Sequence, residues 1–563
     1  MTSHIRWQIV LILSGILLVA ILLTYLAINY TTVLVPSAGG TYVEGTAGFP
    51  SRINPLLCRR NQVDCDASAL VFSGLTRLND RGELEPDLAR SWEVDFAGRV
   101  VTYTFHIRTN AYWHDGMPVT ADDVVFTVNL VQDPSFPNPQ AVGSTLWRTV
   151  AVQKVDIRTV RFTLPEAYAP FLDYTTLGIL PAHVLTGTTA SQLPDAAFNL
   201  NPVGSGPFQI DRVDLDGDAI ASIVLKRFPR YYGTKPLLER VQLRYYANRE
   251  AVLNAYESGE IAGIASIPND ELEQAYTYPD LELYSAPLAE YGIVFFNMRR
   301  TDLTFLHDPV VRQAMLHAVD RQAIINEVLG GQAVVAHSPM IPGTWAYKDD
   351  LPRYEYDPAK AEQLLNQAGW IRQAVGDRGR RKEGTWFRFQ LLTSNEPERA
   401  EIAQRLVDSW ASLGISVTLA TAPPEEVRAA LENREFEAIL VSVAMPGDPD
   451  PYPLWHETQV DNGQNYSGFS DRRMSELIEQ ARTLVIDSAS VRRDLYYEFQ
   501  DIFAEQVPAL LLYLPVYTYG VDTRVNDVQI GPMASSADRF YTIADWWIVT
   551  RRTISAGSEA HAP

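Results

Sequence analysis

The feature that most constrains this chain is a long stretch without charge near its start. No Asp, Glu, Lys or Arg lies between Trp7 and Val43, and Ile9 to Ile28 holds fourteen Leu, Ile or Val residues. Twenty helical residues at about 1.5 Å each span ~30 Å, the thickness of a bilayer's hydrocarbon core. Each Leu, Ile or Val favours insertion by ~0.3–0.6 kcal/mol at the bilayer centre. Arg6 ahead of the run keeps the N-terminus in the cytoplasm. Trp7, Tyr25 and Tyr30 suit the two interfaces. Residues 1–37 are therefore expected to form an uncleaved, single-pass anchor in the cell membrane. A cleaved signal ending in the stretch Val35–Gly39 is the competing reading. No Cys stands near the apolar end, which argues against a lipid anchor. On either reading the rest of the chain lies outside the cytoplasm.

That compartment decides how Cys58 and Cys65, the two cysteines, are read. Oxidising surroundings favour a bridge between them over two free buried thiols. A loop this short would gain ~2.5 kcal/mol from closure on the chain-entropy model. Two cysteines cannot build a disulfide-dense scaffold or a four-Cys zinc site. With 47 basic and 68 acidic residues the net charge is −21, so the chain is unsuited to phosphate backbones and no nucleic acid partner is expected. A length of 563 residues is a prior for about three to four structural units. No repeat or Gly/Ser linker separates them, so one interlocked body is expected.

Strands and helices alternate along the chain. Val101, Tyr103, Phe105 and Ile107 alternate with polar residues, as do Val160, Phe162 and Leu164, and Val241, Leu243 and Tyr245. Each set reads as a half-buried strand. Thr120 with Asp123 forms a capping-box pattern that opens a helix through Leu130. Asp308-Pro309 opens another, running to about Leu329, and Asp357-Pro358 a third that Gly369 stops. A helix over about 398–413 ends at Gly414 and leads into a strand over 415–419. This mixture predicts an α/β fold.

Several stretches are individually weak but form an ordered set. They are Phe72-Ser73-Gly74-Leu75, Glu85-Pro86-Asp87-Leu88-Ala89 with Ser91-Trp92, and Trp113-His114-Asp115-Gly116 through Asp123-Val124. Gly204-Ser205-Gly206-Pro207-Phe208, Ser258-Gly259-Glu260-Ile261 and Phe296-Asn297 follow. Val311-Arg312-Gln313-Ala314, Tyr356-Asp357-Pro358 with Ala368-Gly369-Trp370, and Gly447-Asp448-Pro449-Asp450 complete it. From about residue 40 to 548 the chain resembles the family 5 extracellular solute-binding proteins of ABC importers, of the dipeptide, oligopeptide and nickel-binding type. The resemblance implies a two-lobed periplasmic-binding-protein fold of class II type. Lobe I would span 38–288, with an extra subdomain at about 59–200, and lobe II 289–510. The chain would return to lobe I over 511–550, and 551–563 would be a disordered tail. It also implies lobe closure on a peptide or other small polar solute, delivery to permease subunits, and a monomer. No cofactor is expected.

The resemblance places Tyr112, Tyr291, Trp345, Trp455 and Tyr466 near the cleft. Asn297 ends an apolar strand beside it and could offer both a donor and an acceptor. After the strand at 439–441, the run Val443–Asp450 should form a cleft loop. Peptide-binding relatives carry there an Asp for the peptide's amino terminus, and Met445-Pro446 stand in its place. Asp448 or Asp450 could substitute, with Met445 and Gly447 beside them, or both could be structural. Trp113-His114-Asp115-Gly116 reads as a structural turn, and Arg312, Asp320 and Arg321 as scaffold ion pairs. No Gly-x-Ser-x-Gly, His-Glu-x-x-His or phosphate loop occurs, so no enzyme and no metal site are expected. The alternatives are a same-fold binder of a non-peptide solute or metal chelate, a membrane-anchored receptor, or an anchored hydrolase.

Overall fold

In the computed structural model, residues 2–58, 62–137, 143–217, 219–373, 379–445, 447–484 and 489–554 are described. The uncharged leader forms a helix, α1 (Thr2–Thr31), that runs into a strand, β1 (Thr32–Ser37). β1 pairs antiparallel with the strand Val549–Ile554, Thr32 opposite Ile554 and Ser37 opposite Val549. Residues 551–554, expected within a disordered tail, are therefore strand, because their backbone groups find partners on β1. Residues 555–563 lie outside the described residues. Every large apolar side chain from Val10 to Leu23 is more than half exposed. Among the described residues no helix is long and apolar enough to cross a membrane. The side chains of residues 2–6, 9 and 24–33 are not among those described. The fold does not by itself establish the expected anchor.

Lobe I is built on β2 (Thr41–Ala47). It lies parallel to Arg240–Tyr246, which continues antiparallel to Ala219–Arg227 and then Phe208–Asp216. One face carries a large core that includes Tyr42, Leu225, Val241 and Leu243. The other packs Val252 and Leu253 of the helix Arg249–Glu257. A helix, α2 (Gln62–Val71), is tied at its start by a disulfide between Cys58 and Cys65, with Cα atoms 4.8 Å apart. Within the expected subdomain, the strands Ala89–Ala97, Val100–Ile107, Thr159–Leu164 and Ala151–Asp156 form an antiparallel sheet in that order. The helix Ala121–Gln132 packs on it, and the Thr120–Asp123 capping box is formed.

Two chain crossings join the lobes. The first leaves β3 (Leu281–Pro287) and enters β4 (Glu290–Phe296) through Leu288 and Ala289. After β4 the chain forms lobe II, including the helix α3 (Pro397–Ser412), and returns along β5 (Leu510–Asp522). The first half of β5 pairs with β4 and Ala333–Val335, ending at Pro515. From Val516 onward it pairs with β3 and Gly263–Ile264. This return falls at 515–516, five residues beyond the expected boundary, because the apolar run starting at Leu510 continues as one strand.

β4 is apolar without alternation because both its faces are covered. Val294 and Phe296 pack into one core with Leu391 and Leu440, and Tyr291, Ile293 and Phe295 into another with Ile439. The helix expected over 308–329 is broken into Pro309–His317 and Arg321–Glu327, with Asp320 capping the second by accepting from the Ala323 N–H. Among the described residues neither Arg312 nor Arg321 forms the expected ion pair; both bond backbone carbonyls instead. Arg312 Nε donates to the Val507 carbonyl at 2.7 Å, and Arg321 Nη1 to those of Ala336 at 2.7 Å and Leu511 at 3.0 Å. Burial pushes both guanidinium pKa values down to about 10.

Candidate functional site

The two crossings form the back wall of a cavity of about 890 Å³. Lobe I contributes the end of β2, residues 264–271, Asp66 on α2, and Ser535, Ser536 and Arg539. Lobe II contributes Glu398 and Arg399 of the first turn of α3 and Ala444, while Leu288 to Glu290, Tyr513 and Pro515 to Thr518 close the hinge side. A polar and apolar mixture fed from both lobes suits a solute held by backbone and side-chain contacts together.

The lobe I wall rests on a buried charge cluster. Arg539, fully buried, donates to Asp66 at 2.7 and 2.8 Å and to Glu44 at 2.5 Å. Glu44 Oε2 also accepts from the Tyr519 hydroxyl at 2.6 Å and the Tyr42 hydroxyl at 3.0 Å. Burial opposes charging Arg539, yet Asp66 and Glu44 more than offset it and raise its pKa. Burial also pushes the Asp66 carboxyl up, against the pull of Arg539. The cluster sets two carboxylates against one guanidinium, so this wall carries excess negative charge. It joins β2, α2, β5 and the segment around Arg539 into one unit.

On the lobe II wall, Arg399 projects from the first turn of α3. Its Nη1 donates to the Tyr513 hydroxyl at 2.8 Å, and its Nη2 to Ser442 Oγ. Burial, with Glu398 and Glu290 adding to it, holds the Tyr513 phenol up at about 12 despite Arg399.

None of the ten ligand residues expected from the sequence lines this cavity. The Asn297 side-chain amide is consumed by the carbonyls of Arg434 and Phe436, at 3.0 and 3.1 Å, and its oxygen accepts from the Arg299 N–H. Tyr291 and Trp455 are core residues of lobe II. Tyr466 packs at the edge of the same core, 5.7 Å from the Phe295 ring, and Trp345 lies 5.7 Å from the Tyr496 ring. Tyr112 sits under Arg230, 3.7 Å away, in the subdomain. The Met445 N–H donates to the carbonyl of Ala289 in the crossing, at 2.7 Å. Pro446 lies outside the described residues.

Both acids of the expected cleft loop are paired within lobe II. Asp448 holds Arg492 through two bonds of 2.8 and 2.6 Å, and Asp450 holds Arg482 at 2.8 Å. Both carboxylates are thus occupied by arginines of their own lobe. Their loop instead reaches the opposite lobe at the rim. The Ala169 N–H donates to the Arg482 carbonyl at 2.7 Å, and the Arg482 guanidinium lies 4.8 Å from the Tyr168 ring. Gly447 faces Asp173 so closely that an added Cβ would lie 2.8 Å from its carboxylate.

The turn at Trp113–Gly116 is structural too. His114 Nδ1 accepts from the Gly204 N–H at 3.2 Å, and Nε2–H donates to the Gly206 carbonyl at 3.1 Å. Among the described residues no cluster of His, Cys, Asp or Glu could hold a metal ion.

Comparison with known proteins agrees with this architecture. Residues 83–465 match the model of the bacterial extracellular solute-binding proteins, family 5 (middle). The oligopeptide-binding protein AppA of Bacillus subtilis is 28% identical over 529 residues, covering 91% of this chain and 92% of that protein. The dipeptide-binding protein of Escherichia coli is 28% identical over 84% of this chain and 89% of its own. The structure of AppA in complex with a nonapeptide covers 92% of this chain and 100% of that one, at 25% identity and a TM-score of 0.64. HbpA2 from Haemophilus parasuis shares the fold with a TM-score of 0.75 at 24% identity, over 89% of this chain and 99% of its own. A two-lobed fold crossed twice by the chain, a cavity at the crossings, and a family match over most of its length lead to one conclusion: the chain belongs to the family 5 bacterial extracellular solute-binding proteins.

Proposed function

We propose that this chain is the substrate-binding subunit of an ABC importer, which captures a peptide or peptide-like solute between its lobes and hands it to membrane permease subunits. The observation that carries this reading is the cavity itself, bounded by both lobes and backed by both crossings. A solute touching both walls favours the closed arrangement by its differential contacts. The oligopeptide- and dipeptide-binding relatives support the choice of peptide. A monomer without catalytic activity belongs to the same reading; in its favour, the acids of the 447–450 loop are paired with arginines rather than poised as an acid–base pair.

We further propose that α1 tethers the protein to the cell membrane with the body outside the cytoplasm. Support comes from the uncharged stretch Trp7–Val43 and from the large apolar side chains of Val10 to Leu23, each more than half exposed. A tether keeps the binding domain at high effective concentration near its permease.

The full chain, purified in detergent, is examined by native mass spectrometry before and after incubation with mixed tripeptides. One intact peptide per chain is the expected result. Cleaved peptide would overturn the reading in favour of a hydrolase. For the tether, alkaline carbonate washing of membranes should leave the chain in the pellet, and release into the supernatant would refute it.

A further inference from the structure

Three guanidinium groups line the interlobe cavity, and each is met by two carboxylates. Arg539 is held by Asp66 and by the buried Glu44. Both Asp66 oxygens accept from it, the fork that an ionised carboxylate makes. Arg249 pairs with Asp270 at 3.2 Å and Glu271 at 2.8 Å. Arg399 stands 3.9 Å from Glu290, and Glu398 precedes it in the chain. Every guanidinium is thus outnumbered two to one. No Lys or His is among the described residues that line the cavity, so nothing offsets the surplus. At neutral pH each group carries one negative charge in excess.

The three groups are spread around the cavity rather than gathered at one point. Asp66 stands on α2 in lobe I, Asp270 and Glu271 follow the strand at 263–264, and Glu290 and Glu398 belong to β4 and α3. What they create is a negative field over the whole concavity, which its low-dielectric walls focus inward. A second feature accompanies the charge. Ile264 and Ile267 line the same cavity a few residues ahead of Asp270, and Val252 and Leu329 line it too. Apolar side chains beside carboxylates suit a ligand side chain with an aliphatic stem and a cationic tip.

We propose that the cavity selects cationic peptides, those that carry lysine or arginine, and discriminates against acidic ones. This rests on the peptide-capture reading and deepens it. The stem of the basic side chain lies against the apolar residues, and its tip meets a surplus carboxylate. An acidic side chain in the same place would face the same surplus and be repelled.

Equilibrium dialysis of the full chain in detergent measures its affinity for three peptides with identical termini: Ala-Lys-Ala, the same peptide acetylated on the lysine side chain, and Ala-Glu-Ala. Acetylation removes the charge and keeps the stem. The wild type should bind the lysine peptide about tenfold more tightly than the acetylated one, as for a unit charge about 6 Å from one surplus charge at an effective dielectric of ~40. Ala-Glu-Ala should bind weakest. In about 1 M salt, where the screening length falls to about 3 Å, the lysine preference should shrink to within about threefold. Glu271→Gln combined with Glu398→Gln brings two of the three groups into balance and should shrink the preference to a similar extent at low salt. Equal affinity for the lysine and acetyl-lysine peptides, or a preference for Ala-Glu-Ala, overturns the charge selection while leaving peptide capture standing, and needs no variant to fold. An unchanged preference in the double variant, with a wild-type melting curve, also overturns it. Binding of none of the three overturns peptide capture as well.

Discussion

His114 shows how much a single side chain can commit to one protonation state. Its Nδ1 lone pair faces the Gly204 N–H, so a second ring proton would set donor against donor. Burial is the main cause that holds its pKa down at about 4. Above pH 6.5 the ring is neutral in folded and unfolded chains and contributes nothing to pH dependence. As the pH falls from 6.5 towards 4, the unfolded chain binds a proton that the folded one refuses, and stability is lost. The full loss is about 3 kcal/mol. Asp87 acts in the opposite direction, because burial raises its carboxyl to about 6 and acid relieves that strain. The difference between wild type and His114→Gln isolates the histidine: urea unfolding at pH 4.5 and 7.5 should show a smaller acid loss for the variant. Asp448 gives a second residue-scale prediction. Neutralising it in Asp448→Asn leaves Arg492 with an unmatched charge at a site only 10% exposed. This should cost about 3–5 kcal/mol of stability. Peptide affinity, measured well below the melting temperature, should hardly move. The sequence drew attention to Asp448 and Asp450, but their partners lie 44 and 32 residues downstream. Nothing local announces such a pairing, and an acid in a loop reads the same whether it is paired or free.

At the scale of elements, β4 and β5 lie side by side where the chain crosses between lobes. Gly292 of β4 backs directly onto the ring of Tyr513, and any Cβ there would collide with it. That ring holds Arg399 in place. Gly292→Ala should therefore shift Tyr513 and cost about 1–3 kcal/mol of stability by overpacking, read as a lower urea midpoint. Element types were largely legible. The strands at 100–107 and 240–246 and the helices opened by Thr120, Asp308 and Asp357 stand where alternation and capping residues put them. Lengths were less so. The helix from Pro309 breaks at Ala318–Asp320, because Asp320 caps a new helix rather than continuing the old one. For Arg399 one signal was available in the sequence: a cation in the first turn of a helix opened by Pro397. Arg539 offered none, since its partner Glu44 lies 495 residues away.

The whole molecule adds contacts that no element owns. At the rim, away from the crossings, Arg482 of lobe II meets Tyr168 and Ala169 of lobe I. A cation over an aromatic face contributes about 0.5–2 kcal/mol. Tyr168→Leu removes that contact and leaves the Arg482–Asp450 pair intact. The unliganded variant should populate wider lobe separations, seen as a larger radius of gyration in solution scattering, while saturating peptide should restore the wild-type value. An unchanged radius in the free variant would mean the rim contact does not bias closure. The two-lobed plan was readable because its signature residues recur in order along most of the chain. The cavity lining was not, because it is assembled from short segments at 45–47, 264–271, 288–290 and 534–539, which carry no pattern on their own.

One consequence follows from the pairing of β1 with Val549–Ile554. If α1 lies in the bilayer, as proposed, the body does not hang from a single flexible thread. It stands on a two-stranded ribbon of six residue pairs, a pedestal about 20 Å tall. A ribbon resists twisting and bending far more than one extended strand, so with that tether the mouth of the cleft would be held at a set height and facing. Thr553, opposite Val33, stands at the foot of this pedestal. A fluorophore attached there would report the lipid surface and the tilt of the whole body, whereas the same dye on the rim loop would report the opening of the jaws.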